Sequence, residues 1–180
     1  EPPRAEVGLG VTLELDKVPA PKLSAQEIYR QVLPSVVGVA AEQADGSGYG
    51  MGSGVIMRED GYILTNYHVI ETAYESKADI TVMTHDGTKY TASVVGFEQE
   101  NDIAVLKIDG ENLPHVTIGD SDAMKVGDEV YAVGNPLGEL DFSMTTGHVS
   151  ALDRLISTES NSEPINMFQF DAAVNSGNSG

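Results

Sequence analysis

Three side chains of this 180-residue chain are of the types that together perform acyl transfer: His68, Asp102 and Ser179. A serine hydroxyl is a poor nucleophile until a base takes its proton during attack. Imidazole suits that task, because its ordinary pKa of about 6.5 lies close to working pH. A carboxylate beside the ring fixes its tautomer and steadies the cation that forms. The chain supplies one well-set member of each type, in the order His, Asp, Ser.

Taken singly, each has a plainer reading. His68 closes the run Ile63-Leu64-Thr65-Asn66-Tyr67-His68, so its ring is expected where an apolar strand turns into a loop. A sheet fixes a group placed there while the loop leaves it open to solvent. Among the other histidines, His85 adjoins the Asp86-Gly87 turn and reads as a solvated tip. His115 follows Pro114 and His148 falls inside a strand, both without a chemical neighbour in sequence. Asp102 opens the apolar run Ile103-Ala104-Val105-Leu106-Lys107 and alone would be a strand-start turn residue. Ser179 sits in Asn175-Ser176-Gly177-Asn178-Ser179-Gly180, whose small residues let backbone N–H groups point outward beside a hydroxyl. An acyl-transfer enzyme needs such donors for its developing oxyanion, although the same string could be a plain turn.

The elements that must position these residues are almost all β. Short runs rich in Val, Ile, Thr and Tyr predict strands at 36–40, 52–57, 62–65, 80–83, 90–97, 103–108, 129–133, 142–152 and 165–170. Asp60-Gly61 and Asp86-Gly87 mark tight turns between them. Regular short strands without long intervening helices point to an all-β fold of barrels or sandwiches. One helix is expected before them. Ser24-Ala25-Gln26-Glu27 has capping-box spacing, Ile28, Val32 and Leu33 supply an apolar side, and Pro34 ends it. Residues 1–22, with Pro2, Pro3, Pro19 and Pro21, read as an arm or linker in which 11–15 could pair as a short edge strand. The polar segment 153–164 reads as a mobile surface loop.

Composition removes several classes of partner. Hydrophobic residues make up 41% and charged residues 21%, an ordinary globular balance. Ten Lys and Arg stand against 28 Asp and Glu, a formal charge of −18 with no basic cluster, so no nucleic-acid partner is expected. The absence of cysteine removes disulfides, thiolate zinc sites and cysteine nucleophiles. No run reaches the roughly 18 apolar residues of a membrane helix, and the N-terminus lacks a basic-then-apolar signal pattern.

Several blocks of the chain together resemble the HtrA (Deg) family of trypsin-like serine proteases. They are Gly52-Ser53-Gly54-Val55-Ile56, Thr65-Asn66-Tyr67-His68-Val69-Ile70, Asn101-Asp102-Ile103-Ala104-Val105-Leu106-Lys107, Gly134-Asn135-Pro136-Leu137-Gly138, Thr146-Gly147-His148-Val149-Ser150-Ala151 and residues 171–180. They run in the family's order over some 150 residues, from about Ser24 onward. The resemblance implies a chymotrypsin-like fold of two β-barrels with the active site in the cleft between them. It makes His68 the general base, Asp102 its orienting partner and Ser179 the nucleophile, with the N–H groups of Gly177 and Ser179 as oxyanion hole. No metal or organic cofactor is implied. The substrates would be unfolded or misfolded proteins met outside the cytoplasm, by a secreted, cell-envelope or membrane-anchored protein, or in organelles. A homotrimer, activating peptides sensed near 153–164 and a PDZ domain outside this chain are further family expectations. The alternative is a dormant or non-catalytic member that binds unfolded chains, or an inactive fragment of the protease domain. Two positions depart from the pattern: Ser176 stands where proline is common, and Tyr67 fills an aromatic-or-histidine position and is expected to be neutral. The domain is taken as 23–180. The chain stops one residue after Ser179, so an incomplete second barrel is expected, with the natural protein continuing beyond it.

Overall fold

The computed structural model describes residues 13, 15–16, 22–42, 45, 49–135, 142–158 and 161–174. A short strand β1 (Leu15–Asp16) precedes helix α1 (Ala25–Val32), after which come β2 (Val36–Glu42), β3 (Tyr49–Ile56) and β4 (Tyr62–Thr65). Helix α2 (Tyr67–Ser76) follows, then β5 (Ile80–Met83), β6 (Lys89–Glu98) and β7 (Ile103–Lys107). The remainder is β8 (Ile118–Gly119), β9 (Glu129–Gly134), β10 (Ser143–Thr158) and β11 (Asn161–Phe170).

Strands β2 to β7 close a barrel in the order β2-β3-β4-β7-β6-β5, with β5 returning to pair with β2. Alternate side chains point inward, as a period of two demands. Val37, Val39 and Ala41 on β2 meet Ile80 and Val82 on β5, Ala92 and Val94 on β6, and Ala104 and Leu106 on β7, all buried. The β3–β4 hairpin turns through Gly61 at φ +93°, where a Cβ would lie 2.5 Å from the Ile108 carbonyl oxygen. Only glycine meets both demands.

Past the barrel, β9, β10 and β11 form a three-stranded antiparallel sheet. The first half of β10 pairs with β9, from Ser143↔Gly134 to His148↔Glu129, and its second half pairs with β11. This half of the molecule is open among the described residues, in agreement with the expected incomplete second barrel. The two halves are joined where the Asn135 N–H donates to Ser53 Oγ at 2.8 Å. The Tyr29 hydroxyl on α1 likewise donates to the Phe142 carbonyl at 3.2 Å.

The capping box forms as read: Glu27 N–H donates to Ser24 Oγ, and the Ser24 N–H donates to Glu27 Oε2. Pro34 falls in the 3₁₀ turn Leu33–Ser35 that ends this helix. Of the expected edge strand at 11–15, Leu15 pairs in parallel with Ile118, and residues 11, 12 and 14 lie outside the described residues.

Two expectations are corrected. His68 does not sit in a loop but in the first turn of α2, whose Tyr67, Ile70 and Ala73 recur at helical spacing and are buried with Val69. The segment 153–164 is largely not a loop either. β10 runs to Thr158 and β11 begins at Asn161, with Ile156 opposite Ile165. Residues 153–157 are exposed on this hairpin arm, and Pro164 is tolerated because β11 is an edge strand among the described residues.

Candidate active site

Strands β4 and β7 pair antiparallel from Tyr62↔Lys107 to Thr65↔Ala104. That register carries the residues just after Thr65 to those just before Ala104, so Tyr67 and His68 must arrive beside Asp102. The contacts follow. The Tyr67 N–H and the Asn66 side-chain amide both donate to the Asp102 carbonyl, at 3.2 and 2.8 Å. The Asp102 carboxylate accepts the His68 backbone N–H on Oδ1 at 2.8 Å and meets the ring Nδ1 through Oδ2 at 2.6 Å.

This arrangement assigns the ring's protons. An ionised carboxylate can only accept, so the nitrogen facing it, Nδ1, carries the hydrogen. Nε2 is left as the basic lone pair. The His68 side chain is half exposed, so that lone pair belongs to a ring open to solvent. The second carboxylate oxygen prevents the pair from rotating apart, because it is tied to the backbone of the same histidine. A carboxylate at the first turn of a helix also complements the positive end of the helix dipole.

Asn66 is the N-cap of α2, yet its side chain makes no capping hydrogen bond. N-cap side chains normally satisfy the N–H of the second or third helical residue. Here Asn66 is turned toward the Asp102 carbonyl, and Asp102 satisfies the second residue, His68, in its place. Asp102 itself has φ +53°. Left-handed backbone costs a non-glycine residue roughly 1–2 kcal/mol, least for Asn and Asp. The hydrogen bonds to its carbonyl and carboxylate hold it there. Sequence reasoning does not single out Asn66 as a working residue; its signal is an Asn ahead of a helix whose cap another residue supplies.

Ser179 and Gly177 lie outside the described residues. The run leading to them is anchored as far as Ala173. The Asp171 N–H donates to the His148 carbonyl at 3.2 Å, and Asp171 Oδ1 accepts the His148 N–H at 2.6 Å. Thr145 Oγ1 donates to the Ala173 carbonyl at 2.8 Å. The other histidines are placed differently. The His85 ring meets Phe142 edge-on at 5.4 Å, and His115 Nδ1 contacts the Leu113 carbonyl at 3.2 Å. Among the described residues no group of three His, Asp or Glu could hold a metal ion.

The barrel thus sets the His68 ring on the Asp102 carboxylate, a pairing of the kind that triad hydrolases use for a base and its orienting partner. The chain belongs to the trypsin-like peptidase family, whose domain profile matches residues 52–180. It is 46% identical over 130 residues to a probable periplasmic serine endoprotease DegP-like of Halomonas elongata, a match covering 72% of this chain and 26% of that protein. It is likewise 46% identical over 134 residues to the chloroplastic Protease Do-like 1 of Arabidopsis thaliana, covering 73% and 29%. Among solved structures it resembles the HtrA-type protease AlgW with a tripeptide, at TM-score 0.76 and 37% identity over 88% of this chain and 49% of that one. It also resembles Deg5, at TM-score 0.72 and 35% identity over 89% of this chain and 80% of the other. The chain spans about a quarter of the length of the curated relatives it matches.

Proposed function

We propose that this chain contributes the catalytic residues of a serine endopeptidase acting on unfolded or misfolded proteins. One observation carries the reading: the Asp102 carboxylate grips both the ring and the backbone of His68. In the proposed reaction Ser179 Oγ attacks the scissile carbonyl while His68 Nε2 takes its proton. The backbone N–H groups of Gly177 and Ser179 bind the resulting oxyanion. The imidazolium, steadied by Asp102, then protonates the leaving amine, and an acyl-enzyme remains. A water molecule activated by His68 releases the acid product and restores Ser179. The peptide-bound HtrA-type neighbours and the DegP-like relatives support peptide substrates. The word periplasmic in several relatives' names supports a site of action outside the cytoplasm, with an organelle as the counterpart in the chloroplastic relative. We take residues 23–180 as protease domain and 1–22 as an arm, and propose the family's homotrimer for the assembled protein.

The test is covalent labelling. Intact-mass analysis with a fluorophosphonate probe is expected to show one adduct on Ser179 of the active protein, and Ser179→Ala is expected to abolish both the adduct and casein cleavage without altering the fold. Undiminished cleavage by Ser179→Ala refutes the assignment.

A further inference from the structure

The turn that delivers Asp102 is closed on itself by side chains the proposed reaction does not use. The Asp102 N–H donates to the Gln99 carbonyl at 3.1 Å. The Gln99 side-chain amide donates to the Tyr67 hydroxyl at 2.8 Å. The Tyr67 N–H returns to the Asp102 carbonyl at 3.2 Å, so Gln99, Tyr67 and Asp102 form a closed ring of hydrogen bonds. One side of that ring is anchored. Tyr67 is 6% exposed and its ring lies tilted on Phe97 with centroids 4.7 Å apart, and Phe97 meets Tyr74 edge-on at 4.8 Å. The other side lies at the surface, with residues 98–101 all exposed. A left-handed aspartate on an exposed turn persists only where its surroundings over-determine it.

We propose that Tyr67 and Gln99 form a latch that fixes the Asp102 turn against His68, making both of them positioning residues for the proton-accepting pair. The Tyr67 hydroxyl suits this use. Burial, chiefly, raises its pKa against the opposing Gln99 bond, and nearby Glu71 and Glu75 raise it further, so it stays a neutral acceptor. Tyr67 therefore does more than fill its position: its ring belongs to the barrel side and its hydroxyl holds the turn.

The latch deepens the protease reading and rests on it for its catalytic consequence, but its geometry can be tested separately. Tyr67→Phe removes one oxygen and keeps the ring on Phe97; Gln99→Leu removes the amide at similar size on an exposed residue. Each, in the full chain, is expected to slow fluorophosphonate labelling about three- to tenfold, the size of one hydrogen bond acting through geometry, with KM for a peptide substrate unchanged. The double variant should lose no more than either single one, since both delete the same bond. In proton NMR the far-downfield His68 Nδ1–H resonance should broaden or move upfield in every variant, while the melting temperature holds within a few degrees. Labelling within 1.5-fold of wild type together with an unmoved resonance overturns the latch, as do losses that multiply in the double variant. If the wild-type chain takes no label yet the resonance responds to the variants, the latch stands and the protease reading fails. If the wild type is labelled and the variants behave like it, the protease reading stands and the latch fails.

Discussion

Replacing Asp102 with asparagine separates the tautomer of His68 from its position. Two oxygens of Asp102 serve His68: Oδ1 takes the backbone N–H at 2.8 Å and Oδ2 faces Nδ1 at 2.6 Å. An asparagine has one carbonyl oxygen, and only an acceptor can face the backbone N–H, so that oxygen stays where Oδ1 was. The amide nitrogen then points at Nδ1. Two donors cannot share one contact, so Nδ1 becomes the acceptor and the ring hydrogen moves to Nε2. The nitrogen that should accept the serine proton is now occupied, and the imidazolium loses its counter-charge. The ties from Asn66 and Tyr67 go to the Asp102 backbone carbonyl and survive the substitution, so the ring keeps its place. With the geometry kept, the whole effect falls on proton transfer. In the trypsin-type triad this substitution costs roughly 10⁴-fold in kcat, about 5.5 kcal/mol of barrier at 1.36 kcal/mol per tenfold. The assay is the rate of fluorophosphonate labelling and of peptide hydrolysis, with thermal melting as control. Asp102→Asn is expected to lose about three to four orders of magnitude in kcat at unchanged KM, with a melting temperature within a few degrees of wild type. A variant that keeps a tenth of the activity would refute the tautomer reasoning; one that unfolds would show that the asparagine oxygen does not keep the place of Oδ1.

Other expectations concern the approach to Ser179 and the acid end of the stability curve. At Gly147 on β10, a Cβ would collide with the Ala172 backbone N and come within 2.5 Å of Asp171 Oδ1, so Gly147→Ala must displace the segment running toward Ser179. It is expected to cost about 1–3 kcal/mol in thermal or urea unfolding and to slow labelling of Ser179, and wild-type behaviour in both would show that the segment yields freely. Asp86 is held at a pKa of about 2, against 3.8, chiefly by the Thr84 hydroxyl and then by the Thr88 N–H. A depressed folded-state value means the carboxylate stabilises the fold above about pH 4 and loses that contribution as pH falls toward 2. The melting-temperature deficit of Asp86→Asn should therefore be present at neutral pH and shrink between pH 4 and 2, and a deficit constant with pH would contradict it.

Much of the barrel is legible in the sequence because it depends on local pattern. Strands β4 and β5 begin and end where their alternation does, and the Gly61 turn lies where Asp60-Gly61 announces it. Helix α2 escapes such a reading because Val69-Ile70 looks like the tail of a strand, although Tyr67, Ile70 and Ala73 already carry helical spacing. The hairpin arm of β10 and β11 escapes it for the opposite reason. Pairing between two backbones needs no apolar face, and Leu155 is 71% exposed there, so alternation carries little signal. Within the site, the residue types and their order can be read. The partnership of Asn66 with the Asp102 carbonyl and of Gln99 with Tyr67 cannot, because strand pairing brings together residues 36 and 32 apart in sequence.

That dependence also explains how one aspartate among 28 acidic residues can be given its role. Asp102 does three things with three oxygens. Its carboxylate orients the His68 ring, one oxygen of the same carboxylate caps the helix that carries that ring, and its backbone carbonyl receives Asn66 and Tyr67. The cap and the ring contact are two oxygens of one group, so stabilising the end of α2 and aiming the imidazole are a single event. A substitution that spares only the carbonyl, Asp102→Ala, leaves the turn tied to the end of β4 but removes the cap and the ring partner together. Comparing it with Asp102→Asn, which keeps the cap acceptor, isolates the stability owed to the cap from the rate owed to the tautomer. Capping by the retained oxygen should leave Asp102→Asn about 1 kcal/mol more stable than Asp102→Ala while both remain catalytically crippled.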